Sequence, residues 1–203
     1  PLRSLHSLCA ILNKKLPYII FSINMLYDKA MNSFDSVVFQ YFAHIRTIQV
    51  TEFMYIVSTF FDFSAYSIVV LFCIAILIYL TRGKKYAYLF LSTMSAGALI
   101  LYALKNICNV QRPVFEVISA FGQSFPSYHA GIVTILSGML MYIYDSTLSR
   151  VWRNICNILC VVLIMVVSIS RLYLGVHWFS DVIGGILIGA LISWCAVQIF
   201  KRY

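Results

Sequence analysis

Charge is scarce in this 203-residue chain: charged side chains make up 11% of it, against 62% hydrophobic residues. Soluble domains carry about a quarter of their residues as Asp, Glu, Lys or Arg. A water-soluble class is therefore excluded, and a mean hydropathy of +0.88 points to a polytopic membrane protein. Acidic residues are scarcer still, 7 against 15 Lys and Arg. The motif loops described below hold no carboxylate cluster of the kind Mg²⁺ wants, so metal-independent chemistry without a cofactor is expected. The 6 cysteines suggest neither a disulfide framework nor a ligand set. Cys73, Cys156, Cys160 and Cys195 lie in apolar runs, Cys9 sits near the start, and Cys108 alone is in a motif loop. Cys156 and Cys160 are one helical turn apart, but no His or Cys pair completes four ligands, so they read as packing residues and not as a zinc site. Internal repeats and low-complexity tracts are absent. A small-residue cleavage site is missing after the first basic pair, so the opening segment is not read as a cleavable signal.

What is present is a series of apolar runs. Phe63 to Leu80, Tyr86 to Leu104, Ala130 to Tyr144, Ile155 to Ile169 and Val182 to Phe200 each read as a transmembrane helix. The third is short and is expected to extend back to Pro126, since Pro is tolerated in a first helical turn. Leu16 to Tyr27 is a weak first span within residues 1–30. Phe34 to Ile45 and Thr51 to Phe61 look amphipathic or interfacial, with Asp35, Arg46, Glu52 and Asp62 at or near their ends. The expected fold is all-α: one domain over residues 1–203, a polytopic membrane bundle of about six transmembrane helices with interfacial helices near the N-terminus.

The net charge of +8 does not point to nucleic acid, because the basic residues flank apolar segments as topology signals do. Arg82, Lys84 and Lys85, then Arg150 and Arg153, then Lys201 and Arg202 fall on one face. The positive-inside rule assigns that face to the cytoplasm. The loops carrying Arg112, His129 and His177 are thereby sent outside, toward the periplasm or exterior of the cell's inner membrane.

Three basic-and-histidine clusters stand where the apolar runs end. Lys105 closes one helix and Arg112-Pro113 lies in the loop beyond it. A guanidinium forks onto two phosphate oxygens and an ammonium adds a compact charge, a pair suited to a phosphoryl group. Glu116 can pair with Arg112. In Pro126-Ser127-Tyr128-His129 the chain enters a helix whose first turn leaves N–H groups free for an anion. Ser127 adds a hydroxyl there and His129 is a candidate general acid. Arg171, His177 and Asp181 gather between the last two runs. A helix beginning near His177 puts His177 and Asp181 on one face, where the carboxylate holds one ring N–H and leaves the other nitrogen nucleophilic. Convergent cations of this kind stabilise the charge that phosphoryl transfer spreads over equatorial oxygens.

The motifs Lys-x6-Arg-Pro (105–113), Pro-Ser-Tyr-His (126–129) and Ser-Arg-x5-His-x3-Asp (170–181) resemble those of the type 2 phosphatidic acid phosphatase superfamily, which includes bacterial acid phosphatases and vanadium haloperoxidases. The resemblance covers about half the chain. It implies that Lys105, Arg112 and Arg171 hold the phosphate with Ser127 and the backbone at Tyr128. It further implies that His177 attacks phosphorus, Asp181 orients His177, and His129 protonates the leaving group. The implied partners are the lipid bilayer and a membrane lipid phosphate: a polyprenyl diphosphate such as undecaprenyl diphosphate, or phosphatidylglycerophosphate. Lipid A phosphatase activity, lipid-to-lipid phosphotransfer and a non-catalytic lipid-phosphate binding or translocating role are the alternatives. The family's Gly in the second motif is Tyr128 here; its ring is expected to restrict headgroups, and a positive φ at that position would strain it.

Overall fold

A computed structural model describes residues 34–62, 64–113, 116–118, 120 and 122–202. The weak first apolar segment expected within 1–30 lies outside the described residues. Among the described residues the chain is helical and has no strand. Helix α1 covers 34–44. It is followed by α2 (Ile48–Phe60), α3 (Ala65–Arg82), α4 (Lys84–Cys108), α5 (Tyr128–Tyr144), α6 (Arg150–Tyr173) and α7 (Phe179–Phe200). The helices α4, α6 and α7 are long and apolar enough to cross a bilayer, while α3 and α5 are shorter apolar helices.

Local chemistry sets the breaks. Thr47 caps α2 by accepting from the Val50 N–H, and Ser64 caps α3 by accepting from the Ser67 N–H at 3.3 Å. Gly83 alone separates α3 from α4, at φ +86°, a conformation that a Cβ would strain. Helix α4 ends on Asn109 in the left-handed region, φ 51°. Helix α5 starts at Tyr128 and not at Pro126, because Ser127 is extended and its carbonyl already takes the Gly131 N–H at 3.0 Å.

Helix α5 is the centre of the bundle. His129 through Ser137 are buried without a break, and α5 packs against α7, α6 and α4. The α5–α7 approach is backbone to backbone. A Cβ at Gly185 would stand 2.5 Å from the Ser127 carbonyl oxygen, and one at Gly189 would stand 2.6 Å from that of Gly131. Small residues permit this because association inside a bilayer depends on close packing and not on water expulsion. On the outer surface, Ile158, Leu159, Val161, Val162 and Met165 of α6 are exposed, as befits a lipid-facing stripe.

The two ends of the bundle differ in chemistry. At one end Arg82 Nη2 donates to Ser146 Oγ at 3.1 Å, the Tyr86 and Phe200 rings meet at a tilt with centroids 5.3 Å apart, and Lys201 lies over the Tyr142 ring at 5.7 Å. The basic groups at 82–85, 150–153 and 201–202 therefore share this end. The motif residues share the other, where α1 and α2 also dock. Asp35 of α1 accepts from the Ser180 N–H at 2.9 Å and from its hydroxyl at 2.6 Å, neutralising the N-terminus of α7. Arg46 Nε donates to the Tyr173 carbonyl at 2.8 Å, and the Tyr173 hydroxyl receives the Thr47 N–H at 2.8 Å. Near the far end of α2, Ser58 receives a hydrogen bond from Arg171. Helix α2 thus lies across the C-terminal end of α6.

Candidate active site

Lys105, in the last turn of α4, turns its ammonium back into the 109–127 loop, donating to the carbonyls of Gln123 at 2.5 Å and Ser124 at 3.3 Å. Arg112 enters from the same loop. Its Nε donates to the Gly122 carbonyl at 2.9 Å and its Nη1 to the Val176 carbonyl at 2.6 Å, which leaves Nη1 3.3 Å from His177 Nε2. Glu116, expected as a partner for Arg112, accepts the Ala120 N–H at 3.2 Å, and its charge also favours the Arg112 guanidinium. Helix α6 runs further than the apolar pattern indicates, so Arg171 lies in its last turn, 3% exposed, and not in a connecting loop.

The histidine–aspartate pair forms by a different route from the one its spacing suggests. Helix α7 begins at Phe179 with Trp178 as its cap, so His177 precedes the helix and the two side chains do not share a helical face. They meet because the Asp181 carboxylate turns back over the helix start. Its Oδ2 accepts the Trp178 N–H at 2.8 Å and stands 3.4 Å from His177 Nδ1. Ser124 joins the pair, donating its hydroxyl to Asp181 Oδ2 with His177 Nδ1 3.4 Å away. The Asp181 carbonyl receives the Ser127 N–H at 2.9 Å, locking the second motif to the third. With Nδ1–H directed at the carboxylate, the neutral ring presents the Nε2 lone pair beside the Arg112 guanidinium.

His177 is 2% exposed. Burial, together with the charges of Arg171, Arg112 and Lys105, holds its imidazolium form well below the ordinary histidine range. Burial also lowers Arg112, opposed by Glu116 and Asp181, although a guanidinium stays protonated throughout. Two buried donors at the site have no partner among the described residues, the Ser127 hydroxyl and Arg171 Nε. Unpaired buried donors are costly unless an acceptor arrives, and an oxyanion supplies one.

His129, one residue into α5, donates Nε2–H to Asp62 Oδ1 at 2.7 Å. That hydrogen bond, assisted by the positive charge of Arg171, holds the Asp62 carboxyl below its usual range, so Asp62 is the acceptor. Tyr128 is helical, and Asn109 is the described non-glycine residue with positive φ, so the feared strain does not arise. Its ring stands edge-on to His129 with centroids 6.3 Å apart. Tyr128 and Asp62 both line a cleft of about 420 Å³ between α3, α4 and α5, otherwise walled mainly by apolar side chains such as Leu71, Phe72, Phe90 and Met94.

Sequence reasoning placed Lys105, Arg112, Ser127, Tyr128, His129, Arg171, His177 and Asp181, and the fold gathers all of them at one end of the bundle. It missed Asp62, Ser124 and Ser58. Asp62 was legible only as an acidic residue near the end of an amphipathic stretch, since its partner lies 67 residues away.

The family model described as PAP2 superfamily matches residues 85–203. An undecaprenyl-diphosphatase of Sulfolobus acidocaldarius is 45% identical over 76 residues, covering 37% of this chain and 33% of that protein. The putative undecaprenyl-diphosphatase YbjG of Escherichia coli is 28% identical over 119 residues, covering 55% of this chain and 56% of its own. The matched region thus spans from a third to about half the length of these curated relatives. Among solved structures, the first transmembrane PAP2-type phosphatidylglycerolphosphate phosphatase from Bacillus subtilis superposes with a TM-score of 0.78. It is 22% identical, with 93% of this chain and 97% of that one covered. Aquifex aeolicus LpxE superposes at 0.64 with 19% identity, over 79% of this chain and 92% of that one. At these identities the two structures show a shared fold.

Proposed function

The chain belongs to the PAP2 superfamily, and from that premise we propose that it hydrolyses the terminal phosphate of a membrane lipid phosphate, with His177 as nucleophile. The observation that carries the reading is the Arg112 guanidinium 3.3 Å from His177 Nε2, with the charges of Arg171 and Lys105 also acting on that ring, beside an apolar cleft that opens next to His129. Cations and the unpaired donors of Ser127 and Arg171 suit a phosphoryl group. The cleft suits the hydrocarbon attached to it.

In this mechanism the Nε2 lone pair attacks phosphorus while the bond to the lipid-side oxygen breaks, and His129 passes its proton to that oxygen. Water then attacks phosphorus. The P–N electrons return to Nε2, and the proton from water returns to His129. Asp181 and Ser124 hold His177 in the Nδ1–H tautomer throughout. The site-bearing end faces the periplasm or exterior of the cell membrane, because the basic end suits the cytoplasm.

Polyprenyl diphosphate is the preferred substrate, a choice supported by the 45% identity to an undecaprenyl-diphosphatase. The test is phosphate release by detergent-purified protein from undecaprenyl diphosphate, phosphatidylglycerophosphate and lipid A. Release from undecaprenyl diphosphate at least about tenfold faster than from the other two is expected. No release from any of the three refutes the function, and a different ranking refutes the substrate.

The pH profile follows from the depressed basicity of His177. Attack requires the neutral ring, and a group whose proton affinity is lowered stays neutral to lower pH. The acid limb of kcat set by His177 therefore falls below its unperturbed position of about 6.5. Arg112 opposes protonation of His177, so Arg112→Gln is expected to move this limb to higher pH while lowering the plateau. The shift between the two proteins cancels any ionisation of the substrate itself. A limb that does not move, or moves to lower pH, contradicts the assignment of His177.

A further inference from the structure

The leaving oxygen in lipid phosphate hydrolysis is the one that carries the lipid. The general acid must therefore stand on the lipid side of the phosphate and be protonated when the substrate arrives. His129 has the position, since the neighbouring Tyr128 and its own partner Asp62 line the apolar cleft. Its surroundings work against the proton. The charged and titratable groups that face it are Arg171 from α6, Lys105 from α4, His177 from the α6–α7 connection and Asp62 from the α2–α3 junction. Asp62 is the anion in this set.

We propose that Asp62 is the positioning residue for His129: it accepts the Nε2–H, fixes the ring at the cleft mouth and stabilises the imidazolium that donates to the leaving oxygen. This rests on the phosphatase reading above. The geometry is that of a charge-assisted hydrogen bond, 2.7 Å between Nε2 and Oδ1, with the histidine side chain 10% exposed and the carboxylate 50% exposed. The half-exposed carboxylate keeps enough water to remain ionised, while the buried ring cannot draw on water to hold its proton. Docking of α2 fixes the carboxylate in place, because Ser58, one helical turn before Asp62, is tied to Arg171. Asp62 is thus to His129 what Asp181 is to His177: two histidine–carboxylate pairs, with one ring neutral for attack and the other given a carboxylate that opposes the loss of its proton. The proton that leaves His129 for the lipid oxygen in the first half-reaction returns to it from water in the second, and Asp62 exchanges none.

The sign is fixed by charge. Removing an anion beside a ring that must be protonated lowers the ring's proton affinity, so the alkaline limb of kcat moves to lower pH. Asp62→Asn keeps the shape and removes the charge. It is expected to move that limb down by about one pH unit and to reduce kcat about tenfold at pH 7.5, with KM changed less than about twofold. Asp62→Glu is expected to return the limb at least halfway. Histidine ring NMR titration of the purified protein gives a measurement independent of turnover. The chain has 4 histidines, and the resonance lost in His129→Gln is the one expected to titrate at lower pH in Asp62→Asn. An unmoved limb together with an unmoved titration overturns the proposal, whatever happens to the rate. A fall in KM at constant kcat also overturns it, because Asp62 then merely competes with substrate. If the titration shifts but no lipid releases phosphate, the phosphatase reading fails while the Asp62–His129 coupling stands.

Discussion

Replacing His177 with alanine is expected to slow phosphate release from undecaprenyl diphosphate at least about a thousandfold at saturating lipid. The size follows from the role: without Nε2 there is no attacking lone pair, and only the electrostatic environment of Arg112, Arg171 and Lys105 remains to favour attack by water. Structural damage should be slight. Burial already holds the ring uncharged, and the interactions that anchor Asp181, from the Trp178 N–H and the Ser124 hydroxyl, do not pass through the imidazole. The variant should therefore elute like the parent in detergent and bind the lipid with little loss. Acid-quenched reaction with lipid labelled in its terminal phosphate is expected to trap a phosphoprotein in the parent and none in His177→Ala. Phosphate release within about tenfold of the parent removes His177 from the mechanism.

Asp181→Asn is the second large effect, with kcat expected to fall by about two to four powers of ten and KM to change little. Asp181 is fully buried, and its Oδ2 is approached by the Trp178 N–H, the Ser124 hydroxyl and His177 Nδ1. All three arrangements suit an anion that only accepts. A carboxamide of the same shape supplies one neutral oxygen and one NH₂ donor. If the NH₂ faces His177, Nδ1 must accept, the proton moves to Nε2, and the nucleophile is blocked. If the oxygen faces His177, the tautomer survives but the positive charge that develops on the ring during attack loses its counter-ion. Both outcomes act on the reaction step and leave phosphate binding to the cations. A variant whose KM rises while kcat holds would place Asp181 in substrate binding instead.

The helical class and the membrane setting were plain in composition, because a 30 Å hydrocarbon layer imposes long apolar runs that survive as one-dimensional patterns. The positions at which the motifs punctuate those runs were equally plain. What the pattern could not give was where helices end. The apolar stretch before Arg171 stops at Ile169, yet α6 continues to Tyr173, because an arginine can complete a helical turn when its guanidinium finds Ser58 on a neighbouring helix. His177 and Asp181 were read as one face of a helix, and they meet through a cap instead, because Asp181 satisfies backbone donors at the start of α7.

Sequence alone thus determined that the chain lives in a bilayer and that Lys105, Arg112, His129, Arg171 and His177 stand at chain positions that return to one end of an up-and-down bundle. Local spacing and hydrophobicity suffice for that, since each span reverses direction. Tertiary structure alone decided the partners: Asp62 on His129, Ser124 on Asp181 and Ser58 on Arg171, contacts made across 67, 57 and 113 residues. It also decided that glycines 185 and 189 let α7 touch the backbone of α5. Hydrogen bonds and close packing between distant segments depend on how helices cross, and no periodicity along a chain encodes which acid will face which base.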